Sequence, residues 1–334
     1  MIRKLSAIIL CGLMLWWADS ASSQTITLKA EHDMTNQSIA HQALEVMAKS
    51  VLDKTNGRLK MQLYPSLQLS GGNIPNMIRQ TQMGADDLSL IPSSIYTTVQ
   101  YEHGLWSLPF LFKDVEDAYL LANSDVGNRL AKIMEGKNLK TIAIWARGMR
   151  QVLNNIRTIR EPKDIKGLTF RVPENPLYAE TFKSLDARPV TIAWGEVHSA
   201  LLLKTVDGME TPTNNIVTEK FYELLKYVTF WNYSTDMLLV SVNLDFWKKL
   251  PPDLQQALQD GAKAGGEFDF MKEKQAVEEA INLVKTKGME VTLLSEKQHE
   301  AFANIIKPKV WPIFRDKIGS EIITESEKVL KQKK

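Results

Sequence analysis

The chain has 334 residues, with 41 Lys and Arg against 39 Asp and Glu, a formal charge of +2. So even a balance argues against nucleic acid or an anionic membrane as the partner. Its length exceeds the roughly 250–300 residues that one core supports, which predicts two lobes, and the lone Cys11 excludes a disulfide framework.

Met1 to Ser23 has the order of a signal peptide. Arg3 and Lys4 are the positive start, Leu5 to Trp17 the apolar run, and Ala21-Ser22-Ser23 the small-residue cleavage site before Gln24. The run is shorter than the about 20 apolar residues of a membrane span. Cys11 follows Leu10 rather than a small residue, so it does not read as a lipid-attachment site. Cleavage removes Arg3, Lys4 and Asp19, takes the formal charge from +2 to +1, and leaves no cysteine.

From Thr25 to Ala30, Ile26, Leu28 and Ala30 alternate with Thr27 and Lys29, the period of a strand. A polar stop, Glu31 to Gln37, precedes a helix to about Lys54, with Ile39, Ala43, Val46, Met47 and Val51 at helical spacing. Lys60–Tyr64 reads as a strand, Ile74–Met83 as a helix and Leu88–Ile91 as a third strand. This alternation predicts a largely parallel sheet, with ligands beyond the carboxyl ends of its strands. Glu31–Gln37, Ser70–Asn73 and Pro92–Ser94 fall at such ends. Three adjacent residues on an extended segment, such as Glu31-His32-Asp33, do not converge on a metal. The remaining histidines, His41, His103, His198 and His299, are scattered, so no metal or cofactor is expected.

A helix from Val115 to about Met134 completes the first lobe, and the chain crosses to the second near Ala146–Gly148. The apolar strand Ile142–Ala146 ends close to Arg150. In Leu168–Val172 the apolar residues alternate with Thr169 and Arg171, between the turn signals Lys166-Gly167 and Pro173. Arg171 therefore projects opposite Phe170 and Val172. Its planar fork suits a carboxylate, although an Arg in a strand also serves as a solvated edge or an ion-pair partner. Pro176–Leu185 is helical, Ala187–Ile192 extended, and Trp194–Lys204 a helix with Val197, Ala200 and Leu201 on one face. Trp194 fits either packing or a cleft wall. Thr211–Asn215 reads as a polar loop and Met237–Val242 as an apolar strand. A long helix opens at Pro251-Pro252 and runs to about Lys287, with a soft spot at Gly265-Gly266.

Several segments recur in a known order: Gly148-Met149-Arg150, Lys166 to Pro173, Gly195-Glu196-Val197-His198-Ser199-Ala200-Leu201, Val206 to Pro212, Phe221 to Tyr227, and Trp247 to Pro251. Together they resemble the substrate-binding proteins of tripartite ATP-independent periplasmic (TRAP) transporters, C4-dicarboxylate-binding type, over essentially the whole mature chain. One departure is Thr211, where that family usually has Asn. The resemblance implies a two-lobed α/β periplasmic-binding-protein-like fold, type II-like, with mainly parallel sheets and a long helix spanning both lobes. It implies lobe I from residues 24–147 and 236–276, and lobe II from 148–235 and 277–334. It also implies a periplasmic monomer that binds a small organic acid and delivers it to TRAP membrane subunits, without cofactor or catalysis. Arg171 then clamps the carboxylate with Arg150 assisting. Trp194, Thr211, Asn214, Glu31, Asn73, Asn36, Ser93 and Glu210 complete the expected site, and Trp231 is a further candidate wall. Mostly neutral groups opposite Arg171 favour a hydroxylated monocarboxylate, such as a sugar acid, over succinate or malate. Pro92 stands where sialic-acid binders of that family carry Glu. A sensor subunit presenting the same acid to a receptor fits the sequence equally, and an enzyme lacks a nucleophile motif.

Intact-mass measurement of exported protein is expected to place the mature N-terminus near Gln24; material retaining Met1–Ser23 would contradict the reading.

Overall fold

A computed structural model describes residues 25–332. The expected signal peptide lies outside the described residues. Ten strands occur among those residues: β1 (Ile26–His32), β2 (Leu59–Tyr64), β3 (Leu88–Pro92), β4 (Leu139–Asn154), β5 (Thr169–Val172), β6 (Arg188–Thr191), β7 (Gly208–Pro212), β8 (Tyr227–Phe230), β9 (Thr235–Asn243) and β10 (Glu290–Leu293). The main path runs β2-β1-β3-β9-β4-β7-β5-β6, and β8 joins β10 to β4. Within lobe I, β1 lies parallel to β2 and β3; within lobe II, β5 lies parallel to β6 and β7. The crossing strands β4 and β9 run antiparallel to each other and to their neighbours.

The 16-residue β4 holds the two lobes together. Its first half pairs with β9, and its last residues pair with β7 and β8. The sequence reading saw only the apolar stretch Ile142–Ala146, because the polar residues that follow are buried by ion pairing rather than by apolar packing.

Local chemistry fixes the helices that border the cleft. Ser38 caps the helix Ile39–Lys54 and Asn73 caps Ile74–Met83, each side chain accepting from a backbone N–H. The expected single helix from Val115 to Met134 is two, Val115–Ala122 and Asp125–Ile133, because Ser124 stops one and caps the next. The expected helix Trp194–Lys204 is a 3₁₀ turn, Trp194–Glu196, followed by Val197–Leu202. Thr211–Asn215 is not a loop: it ends β7 and begins a short helix, Thr213–Thr218. The last helix, Ser320–Lys331, packs on the two helices of lobe I and forms the ion pair Arg129–Glu325 at 3.0 Å.

The helix Pro252–Thr286 spans 35 residues, about 50 Å, along both lobes. Gly265 and Gly266 are not a soft spot. A Cβ at either would lie 2.7 Å from the Trp145 ring, so the glycines allow that indole to sit against the helix and donate to Ala262 O at 2.8 Å. One turn on, Asp269 and Glu273 are buried against β4, where a Cβ at Gly148 would lie 2.9 Å from Glu273 Oε2. Burial raises both carboxyls, Asp269 well above its ordinary range with Glu273 adding to the effect, and Glu273 to about 8. Both therefore stabilise the fold in their protonated form. For Glu273 that contribution is complete below its ordinary value of 4.5 and is lost as pH rises through about 8. Thermal unfolding between pH 5 and pH 9 is expected to show declining stability, with a flatter profile for Glu273→Gln; identical profiles would refute the assignment.

Candidate functional site

The cleft lies where the expected parallel-sheet rule puts it, at the carboxyl ends of strands. Asp33 follows β1, Ser94 follows β3, Pro173 and Glu174 follow β5, Trp194 follows β6, and Asn215 follows β7; all line it. It encloses about 510 Å³ of empty space, part of it open to solvent. Lobe I meets lobe II across its mouth, where a Cβ at Gly195 would sit 3.2 Å from the Gly72 carbonyl oxygen.

Three guanidiniums enter the cleft. Arg147 and Arg150 are three residues apart, which in a regular strand sends side chains to opposite faces. A bulge solves this. Ala146 pairs with Met237 and Met149 with Thr235, so β4 spends one residue more than β9 between the two pairs. Gly148, at φ +83°, carries the turn, and both arginines line the cleft.

Two of the three are neutralised by protein. Arg147 Nη2 donates to Asp33 Oδ2 at 2.8 Å. Arg150 grips Glu210 with a fork, Nη2 to Oε1 at 2.8 Å and Nε to Oε2, and its Nη1 donates to Asp236 Oδ2 at 2.7 Å. Tyr233 donates its hydroxyl to Glu210 at 3.0 Å, and the Tyr178 ring lies 4.6 Å beneath the Arg150 guanidinium. Asp236 also accepts from Ser93 Oγ, Ser94 N and Ser94 Oγ, at 2.9, 3.1 and 3.0 Å.

Arg171 differs. It is only 2 % exposed, and Nε donates to the Ile192 carbonyl at 2.9 Å. The Trp194 ring lies 5.7 Å from the guanidinium. Among the described residues it forms no ion pair. Burial lowers its pKa to about 9; Glu210 and Glu174 offset part of this, and Arg150 and Arg147 add to it. A buried cation without a counter-ion is costly, so the pocket is electrostatically incomplete without an anion.

Trp194, Thr211 and Asn73 line the cleft, as the sequence reading placed them. Thr211 Oγ1 accepts from Asn215, which lines the cleft in place of Asn214; Asn214 turns instead towards Glu273. Glu31 does not reach the cleft. Its carboxylate accepts from Leu69 N and Ser70 N at 2.6 and 3.0 Å, tying β1 to the next loop. Asn36 is exposed and does not line the cleft, and Ser93 and Glu210 hold the ion pairs from behind. Trp231 is buried against Phe182, Tyr233 and Phe302 in the core. Asp33, Arg147 and Asp236 were missed. Asp236 had a cue: a charge at the start of the wholly buried strand β9 needs a partner.

Residues 30–317 match the sequence profile of bacterial extracellular solute-binding proteins, family 7 (DctP). The chain belongs to this family. Its members are solute-binding proteins, not enzymes. The chain is 29 % identical over 308 residues to the 2,3-diketo-L-gulonate-binding periplasmic protein YiaO of Escherichia coli, covering 92 % of each. It is 28 % identical over 331 residues to the C4-dicarboxylate-binding periplasmic protein DctP of Shewanella loihica, covering 96 % of this chain and 93 % of that one. Among solved structures, a TRAP periplasmic solute-binding protein from Ralstonia eutropha H16 with bound (S)-2-acetolactate superposes at a TM-score of 0.87. The identity there is 29 %, over 92 % of this chain and 99 % of that one. The two-lobed α/β fold and the TRAP solute-binding class follow from these matches, and among the described residues no helix is long and apolar enough to cross a membrane.

With Glu210 and Asp236 as its partners, Arg150 is a strut of this DctP-family cleft. Glu210→Ala is expected to destabilise the fold by about 3–5 kcal/mol, because it leaves a buried cation half paired. Chemical denaturation measures this, and a change under about 1 kcal/mol would remove the strut from the account.

Proposed function

We propose that this chain is an exported, monomeric periplasmic subunit. It captures an organic acid through a carboxylate on Arg171, closes over it and delivers it to TRAP membrane subunits. One observation carries the reading: Arg171 is buried in the cleft without an ion pair, while its two neighbours are each paired with a carboxylate. A carboxylate supplies what the site lacks, two acceptor oxygens and one negative charge, in the geometry of the guanidinium fork. Trp194 covers the guanidinium from one side. The bound acids of the relatives are consistent with such a contact. Arg150 assists indirectly, by fixing Glu210 and Asp236 so that neither turns to Arg171.

In calorimetry against a panel of organic acids, Arg171→Ala is expected to weaken binding by about 2–5 kcal/mol. Arg171→Lys should recover only part, since it keeps the charge but not the fork. Equal affinity of wild type and Arg171→Ala for a bound acid, with both proteins folded, would refute the clamp.

A further inference from the structure

We propose that Asp33 selects the ligand by reading a hydroxyl at the end away from the clamp, so that the cleft takes a hydroxylated monocarboxylic acid rather than a dicarboxylate. The inference rests on the Arg171 reading above. Two observations point to it.

The first is the allocation of charge. A second carboxylate on the ligand needs a second uncommitted cation. Among the described residues the cleft is lined by three cations, Arg147, Arg150 and Arg171, and no lysine. Arg147 is held by Asp33 and Arg150 by Glu210 and Asp236. Glu174 on the same wall adds a further negative charge. One anionic group therefore finds a partner and a second finds none.

The second is what the Arg147–Asp33 ion pair leaves undone. Asp33 is 3 % exposed; Oδ2 accepts from Arg147, while Oδ1 is buried without a hydrogen-bond partner. Arg147 is 6 % exposed, and its Nε is likewise buried and unpartnered. One shielded acceptor and one shielded donor thus belong to a single ion pair on the cleft wall. A carboxylate only accepts and would meet the charged Oδ1. An ammonium only donates and would meet the Arg147 cation. A hydroxyl both donates and accepts without charge, so it suits either kind of atom. The charge on Asp33 is already balanced by Arg147, so a neutral donor suffices. Asp33 follows β1 in lobe I and Arg171 lies on β5 in lobe II, so an acid that touches both spans the lobes.

Calorimetry on the mature protein tests this with galactonate, gluconate, glucuronate and glycerate as hydroxylated monocarboxylates, hexanoate as the acid without hydroxyls, and succinate as the dicarboxylate. Wild type is expected to bind at least one hydroxylated acid at least tenfold more tightly than hexanoate or succinate. Asp33→Ala should weaken that acid at least tenfold and leave hexanoate within about threefold. Asp33→Asn keeps an acceptor oxygen and removes the charge; it should retain most of the affinity for the hydroxylated acid and narrow its lead over succinate. If Asp33→Ala does not fold, as circular dichroism would show, the Asp33→Asn ratio decides. Tighter binding of succinate by wild type, failure of all four hydroxylated acids, or an equal loss for every acid in Asp33→Ala would overturn the proposal. Arg171→Ala separates the two readings: it should weaken every acid that binds, and a normal affinity there would sink the clamp whatever Asp33 does.

Discussion

The bulge in β4 is the constraint on which the cleft depends. One extra residue between Ala146 and Met149 turns Arg147 and Arg150 to the same side, and the carboxylates that meet them come from separate elements. Asp33 follows β1, Glu210 lies on β7 and Asp236 on β9, so each ion pair is also a crosslink between strands. With the same three-residue spacing in a regular strand, one of the two guanidiniums would face away from the cleft and its carboxylates. Gly148 is required twice, for its positive φ and for the approach of Glu273, which a Cβ would obstruct.

These crosslinks cost more to assemble than an apolar core of the same volume, because every member must be desolvated. What the arrangement supplies is an orientation. With Glu210 fixed by the Arg150 fork and by Tyr233, and Asp236 fixed by Ser93 and Ser94, these two carboxylates are already committed. The pocket thus keeps one cation without an ion pair while its neighbours are paired. Substitution of a strut would relax the carboxylates and neutralise Arg171 from within, so residues that never touch the ligand shape its binding.

Most strands and helices were legible from their apolar periods and turn signals: Leu28 and Ala30 on β1, and Pro252 at the head of the long helix. The direction of Arg171 was legible through Phe170-Arg171-Val172, where alternation fixes it. Roles within the polar network were not. Glu31 and Asp33 are both acidic residues at the end of one strand, and only the fold shows that Glu31 turns one oxygen to Leu69 N and Ser70 N while Asp33 lines the cleft. Arg150, read as a ligand contact, does line the cleft, and residue type could not show that Glu210 and Asp236 pair with it as well. Asn214 and Asn215 are adjacent in an element that looked like a loop; once it is a helix, one turns to Thr211 and the other to Glu273. The extent of β4 was hidden for the same reason, since its second half is buried by charge pairing that no hydrophobic period reports.

The unpaired cation also ties occupancy to shape. With the lobes in contact at Gly72 and Gly195, Arg171 is cut off from water, and desolvation works against its charge. An open cleft would hydrate that guanidinium and recover the loss. Closure over an empty site therefore works against the hydration of Arg171, whereas closure over a carboxylate replaces water with two charge-assisted hydrogen bonds. A ligand shifts such an equilibrium only through its different affinity for the two states, and here the difference resides in a named group. In the proposed clamp the acid serves as the missing counter-ion of the closed form. An acid that also engages lobe I through Asp33 would favour closure further, because its two ends are then held by different lobes.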